Sequence, residues 1–356
     1  MTLISIVFAV LLFSFLIFIH EFGHFIAAKL SGVQVNEFAI FMGPAIFKKQ
    51  KGETLYSIRC IPLGGYCAME GEDEDTENPR SFQKAAWWKR LIILVAGSAM
   101  NLIAGFLLLL IFLAPQTEYV EPVISYAEPA CTVVREDGLH VGDRFVSING
   151  ENVYVSSDVS MLFSLGGESH DIVVERNGEQ ILLEDFVMES HLFVDEQTGQ
   201  ESLRYGFNFT AKKMDFFSLI GQTWWNTVDT VRTVRLSLQM LFTGRAGIQD
   251  MTGPVGIVSM MTQTAQQSED IGIALLNLTY FGGFIGINLA VMNLLPIPAL
   301  DGGRVVGLLL TTAIEKITRK KLNPKFEGYI HGIFMILLLI LMAVILFKDV
   351  FTIFKG

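Results

Sequence analysis

Cysteine is scarce, with three in 356 residues: Cys60, Cys67 and Cys131. The number is odd and no two stand in CxxC spacing, which excludes a disulfide framework and a cysteine zinc knuckle. Each is expected to be a small buried apolar residue. Charge is also sparse, at 17% Asp, Glu, Lys and Arg, with a net of −10. An acidic chain repels phosphate backbones, so nucleic acid is excluded as a partner. No Lys or Arg precedes Lys29. The first apolar run therefore lacks the basic start of a signal peptide, and no small-x-small cleavage site follows it. Repeats and low-complexity tracts are missing as well.

What is abundant is hydrocarbon. Apolar residues make up 51% of the chain and the mean hydropathy is +0.46, which points to a polytopic α-helical membrane protein. Four spans are legible, at about residues 3–28, 88–114, 271–300 and 329–347. Trp87 and Trp88 with Lys89 and Arg90 read as an interfacial anchor for the second. Asn101 stands alone within it, where a bond to a neighbouring helix is the usual fate. Residues 30–88 read as a polar loop with strand character at 35–41 and 54–66. The second strand ends in Ile61-Pro62-Leu63-Gly64-Gly65-Tyr66, and Pro with Gly-Gly marks an edge or a bend. It is either a plain surface hairpin or an edge to which an extended peptide adds as a strand. The acidic run at 70–77 reads as a solvated loop.

Residues 116–212 form a separate unit with 18 acidic and 5 basic residues. Asn149-Gly150 and Asn177-Gly178 are hairpin turn signals, so the unit is mainly β. Residues 213–250 carry an amphipathic helix suited to a membrane surface, with Asp229, Arg232 and Arg235 set among apolar positions. A turn-rich stretch at 252–257 opens the last region, 251–356.

Chemistry concentrates in His20-Glu21-Phe22-Gly23-His24, at the end of a run without charge from Leu3 to Ile19. Positions i and i+4 share a helix face, so His20 and His24 can offer two imidazoles to one metal ion, with Glu21 beside them as a general base. Three fixed positions in five match by chance in many soluble chains. Inside a spanning segment, however, each ionisable group costs about 2.5–3.5 kcal/mol, and a shared dication relieves that cost. The third span breaks at Asn293-Leu294-Leu295-Pro296-Ile297-Pro298-Ala299-Leu300-Asp301. Two prolines unwind a helix, and irregular backbone at membrane depth is tolerated where it lines a cavity. Asp301 is open to two readings, a helix cap or a third metal ligand. Basic residues mark the cytoplasmic side, here 29–90 and 304–325. Both termini and the acidic 116–212 unit then lie outside, and Asp301 arrives on the same leaflet as His20 and His24.

With these residues the chain resembles the site-2 protease family, and within it the bacterial RseP-type intramembrane metalloproteases, over nearly its full length. The resemblance rests on the His20–His24 motif, on Pro62-Leu63-Gly64-Gly65-Tyr66, on the NxxPxPxxDG pattern from Asn293 to Gly302, and on Gly253-Pro254-Val255-Gly256. The stretch from Asp137 to Gly150 resembles a PDZ domain. The resemblance implies one Zn2+ per chain on His20, His24 and Asp301, with Glu21 catalytic. It implies that Asn288 and Asn293, with Gly64 and Gly65, hold substrate. The expected fold has four transmembrane helices, a cytoplasmic-side membrane-associated β-hairpin and one extracytoplasmic PDZ-like domain. The expected setting is a bacterial cytoplasmic membrane, with lipid around the spans. Expected substrates are single-span membrane proteins: anti-sigma factors already cut outside, or remnant signal peptides. Peptide C-termini are the expected ligands of the PDZ-like unit.

Overall fold

A run rich in Leu, Ile, Val and Phe, uncharged from Leu3 to Ile19, makes the first helix, α1 (Thr2–Ser31). The computed structural model describes residues 2–72, 76–129, 131–194, 201–268, 270–318 and 324–355. Part of the acidic run (73–75) and part of the second basic loop (319–323) lie outside the described residues. Two long strands follow α1, β1 (Val35–Lys51) and β2 (Thr54–Met69), and then α2 (Trp87–Leu113). The next stretch holds β3 (Glu118–Ala127), β4 (Arg144–Ile148), β5 (Glu151–Asn152), α3 (Ser156–Leu165), β6 (Ser169–Arg176), β7 (Glu179–Val187), β8 (His191–Val194), β9 (Glu201–Arg204) and β10 (Phe207–Lys213). The chain ends with α4 (Phe216–Phe242), α5 (Pro254–Gln267), α6 (Ile271–Asn293), α7 (Asp301–Thr318) and α8 (Pro324–Lys355). Segments of α1, α2, α6 and α8 are long and apolar enough to cross a membrane: Ile6–Ser31, Trp87–Leu113, Ile271–Asn293 and Gly332–Thr352.

Contacts divide the chain into two units, Met1–Phe112 with Thr230–Gly356, and Leu113–Asp229. The Leu113–Asp229 unit is an antiparallel sheet in the order β10-β3-β4-β6-β7, with β5 on β4 and a separate β8–β9 hairpin. Phe145, Ile148, Ile172, Val174 and Phe163 are buried in it. Asn149-Gly150 and Asn177-Gly178 form its turns, with positive φ at both positions of each pair. Two of its histidines serve local structure: His170 bonds Asn149 at 3.0 Å, and His140 Nε2 lies 3.1 Å from Glu136 O.

In the other unit, α6 lies against α1 and α2 through small residues. A Cβ on Gly105 of α2 would come within 2.9 Å of Gly283 O, and one on Gly283 within 3.1 Å of Gly105 O. Close backbone approach through Gly is how helices associate when no water is there to drive apolar contact. A cluster of Ala9, Leu12 and Leu16 of α1, Met261 and Ala265 of α5, and Leu278 of α6 fills the space beside them.

The polar loop expected to carry a β-hairpin does so, but its strands are longer than expected and fold back on themselves. Val35–Ile40 pair with Gly65–Met69, Ala45–Lys51 pair with Thr54–Arg59, and Glu37–Ile40 also partner Leu55–Ile58. The fold-back needs left-handed backbone, supplied by Phe41 (φ 70°), Gly43 (φ 81°) and Gly64 (φ 79°). Arg59 ties the layers, donating to Glu37 Oε1 and Gly43 O, both at 2.7 Å, and to the Tyr66 hydroxyl. The hairpin packs on α1 through Phe22, Phe25 and Phe38, with Phe25 and Phe38 centroids 4.9 Å apart. Its bend carries exposed Met42, Ile46, Phe47 and Ile61, and Pro62 O accepts from Ser14 Oγ at 3.0 Å. Ser14 lies six residues before His20, about 9 Å along the helix. The strands therefore run past 41 and 66 because their middle is apolar and lies along α1. At the other end, Arg80 and Lys29 hold the Glu53 carboxyl down at about 2, tying the hairpin turn to the end of α1.

Two further differences have local causes. The stretch expected to be turn-rich opens α5: Gly253 is its N-cap and Pro254 stands in the first turn, a start signal and not a break. The span drawn to about residue 300, with a break expected from Asn293, ends as a helix at Asn293. Tight turns follow, with Ile297 N on Leu295 O at 2.7 Å and Leu300 N on Ile297 O at 3.0 Å, and α7 begins at Asp301.

Candidate metal centre

The 3.6-residue period gives α1 two faces near its end. Phe18, Phe22 and Phe25 meet the hairpin. His20 and His24 face α2, where Gly97 leaves room for both rings. A Cβ on Gly97 would stand 2.4 Å from His24 Nε2 and 2.8 Å from His20 Cε1. Gly23, inside the motif, lies equally close to α2, where its Cβ would meet Ala96 O at 2.4 Å.

The turns at 294–300 deliver Asp301 to the same point. Gly302 and Gly303 allow this, because a Cβ on either would meet backbone of Leu294 or Ile297 at 2.3 Å. Asp301 Oδ2 lies 3.1 Å from His20 Nε2 and 3.2 Å from His24 Nε2, and the two Nε2 atoms are 3.2 Å apart. Bonds of 2.0–2.1 Å to a tetrahedral zinc would put donor atoms about 3.3 Å apart, so the triangle has the size such an ion needs. His24 Nδ1 lies 2.8 Å from Ile93 O. A carbonyl only accepts, so Nδ1 carries the proton and Nε2 keeps its lone pair for a metal. His20 Nδ1 lies 3.5 Å from the Asn101 amide. The amide atom nearest the ring is Nδ2, while Oδ1 is buried without a partner; with the amide turned over, Nδ1–H would donate to Oδ1 and leave the second Nε2 free for a metal. Asp301 Oδ2 is itself buried without a hydrogen-bond partner. Two neutral imidazoles, one carboxylate and an orphaned oxygen fit a dication of the zinc type.

These three donors form a metal-sized group at the edge of a cavity of about 330 Å³. Glu21 lines it, as do Tyr66, Cys67, Ala68 and Met69 at the end of β2, and Glu72 and Arg304. Gly65 lies directly over the acid, with its Cβ position 3.7 Å from Glu21 Cγ. Gly64 forms the bend just before it. Asn288 donates to Phe284 O at 2.8 Å within its own helix, and Asn293 is the last residue of α6. Neither lines the cavity. Asn101 and Gly97 went unnoticed as site residues. The signal for Asn101 was an amide inside a span within reach of two histidines. Gly97 carries no signal until the helices are packed.

Gly97→Ala is expected to push the imidazoles apart and weaken metal binding about 10–100-fold, the usual cost of disturbing the shell behind the ligands. Competition with a chromophoric chelator reads it; unchanged affinity would show that the rings have room to spare.

A model of peptidase family M50 matches residues 8–341. A putative zinc metalloprotease of Clostridium acetobutylicum is 36% identical, over 98% of each chain. One of Clostridium perfringens is 32% identical over 97% of this chain and 98% of the relative. The regulator of sigma-W protease RasP of Bacillus subtilis is 26% identical over 97% and 98%.

Proposed function

The chain belongs to peptidase family M50 and is a membrane zinc metalloprotease, and from that premise we propose that it is a multi-pass intramembrane endopeptidase cutting single-span membrane proteins within or beside their apolar segment. One observation carries this reading. The His20–His24–Asp301 triangle stands at the end of an apolar helix, beside a strand edge that dips along that helix. A soluble protease has no use for a peptide-pairing edge at membrane depth.

In this reading His20, His24 and Asp301 hold the zinc. A zinc held there would supply Lewis acidity to the scissile carbonyl and to the attacking water. Glu21, lining the same cavity, takes the proton of the attacking water and passes it to the leaving amine nitrogen. A helical substrate hides its peptide bonds in its own hydrogen bonds, and must unwind to be cut. Gly65–Met69 pair with β1 on one side, and among the described residues no strand covers the other. An unwound substrate adding there exchanges its helical bonds for sheet bonds. Gly64 and Gly65 keep the approach free of side chains.

The basic loops at 29–90 and 304–325 favour a metal centre toward the cytoplasm, and the acidic 116–212 unit is read as extracytoplasmic. That unit, with a six-stranded antiparallel sheet and one short helix, is read as the PDZ-like domain, suited to peptide C-termini or to excluding bulky ectodomains. The name of the Bacillus subtilis relative points to the control of a sigma factor. Anti-sigma factors already cut outside, and remnant signal peptides, are the substrate classes that fit.

The test is cleavage of a terminally labelled single-span protein by the purified chain in detergent. Products cut at or beside the apolar segment are expected, lost with a zinc chelator and regained with Zn2+. Cuts confined to the soluble part would sink the intramembrane reading.

A further inference from the structure

Glu72 and Arg304 are 232 positions apart in sequence, yet Glu72 Oε1 pairs with Arg304 Nη1. Both line the cavity that holds Glu21 and Asp301. Neither has a part in the zinc chemistry above. We propose that this ion pair is a positioning clamp, holding the substrate-pairing edge of β2 in a fixed register with Asp301 and so selecting which peptide bond is cut. The proposal rests on the protease reading for its consequence, but the clamp itself is a property of the fold.

Each half of the pair is rigidly referenced to one thing that must be aligned. Arg304 follows Asp301 by three positions, one turn along the same face of α7. That first turn cannot slide, because Gly302 and Gly303 sit hard against the backbone of residues 294–298. Glu72 follows the edge strand by three positions. Its base is pinned: Glu70 N donates to Gln34 O at 2.9 Å, Phe82 N donates to Glu70 O at 2.7 Å, and Asn36 Nδ2 donates to Glu70 Oε2 at 2.7 Å. Gly71 then turns the chain with φ 64° toward α7. The guanidinium thus refers to a donor of the zinc triangle and the carboxylate to the strand a substrate would join.

Register matters because strand pairing is periodic. A slip of one residue moves a substrate about 3.3 Å and turns every side chain to the opposite face. A misplacement of about 1 Å at the reacting atoms already costs about 100-fold in rate. The hydrogen bonds of a strand carry no sequence information, so a fixed point is needed to set the register. An ion pair between a donor-bearing helix and the edge strand provides one.

The experiment uses the full-length, zinc-loaded chain and compares Arg304→Gln, Glu72→Gln and the exchange Glu72→Arg with Arg304→Glu. Four quantities are read: zinc per chain, hydrogen–deuterium exchange across residues 65–72, the kcat and KM of cleavage, and the masses of products from a single-span substrate. Each single variant is expected to keep one zinc, to exchange several-fold faster at 65–72, to lower kcat about 10–100-fold with little change in KM, and to cut at neighbouring bonds as well as the native one. The exchanged pair is expected to restore the single dominant cut. Unchanged exchange and unchanged cut sites in the single variants overturn the proposal. So does loss of zinc in Arg304→Gln, or a charge exchange that behaves like the single variants. A native chain that cuts no membrane protein defeats the protease reading instead, and the exchange data then still decide whether the clamp exists.

Discussion

Glu21→Gln is expected to lower cleavage by about 10²- to 10⁴-fold, the usual contribution of a positioned general base, while zinc stays at one per chain. Gln has the same shape and length but cannot take a proton. The substitution leaves the metal triangle alone, since His20, His24 and Asp301 meet one another at 3.1–3.2 Å without it. Each decade in rate is about 1.4 kcal/mol of barrier, so the loss corresponds to about 3–5 kcal/mol. KM for a membrane substrate is expected to hold, because the proposal assigns substrate binding to the strand edge and not to Glu21. A variant that cuts at the native rate would remove Glu21 from the mechanism. One that loses zinc would make it a ligand.

Asp301→Ala is expected to lose both zinc and activity. Four donors of a structural zinc site together bind with about 10–16 kcal/mol, so one donor is worth about 3 kcal/mol, or about 100-fold in affinity. The histidines remain in place, held by Ile93 O and Asn101. The variant should therefore fold and then bind zinc weakly, as read by equilibrium dialysis with a thermal melt as control. Full zinc occupancy in Asp301→Ala would reduce Asp301 to the helix cap that its position at the start of α7 also allows. The pair of variants separates two roles: one loses the proton acceptor and keeps the metal, the other loses the metal.

Much of this site was legible because its chemistry is local. The i, i+4 spacing of His20 and His24 needs only a helix. Two prolines ahead of Asp301 need only the fact that proline stops helices. Four helices long and apolar enough to cross a membrane were legible from length and hydropathy. The double fold-back of the hairpin was not, since it depends on positive φ at Phe41 and on a non-local layer held by Arg59. The stretch that became α5 was misjudged because Gly-Pro signals both a turn and a helix start, and only packing against α1 and α6 selects between them. Gly97, Asn101 and the Glu72–Arg304 pair were silent for the same reason: each acts on a residue far away in sequence.

The most direct measurement is zinc K-edge X-ray absorption on the purified, zinc-loaded chain. Two imidazoles and oxygen donors at about 2.0–2.1 Å, with no sulfur shell, are the expected result. Cys67 lines the same cavity, so a thiolate is the natural competitor for the site. A shell at about 2.3 Å would mean sulfur on the zinc, and would contradict the assignment of His20, His24 and Asp301 as its protein ligands.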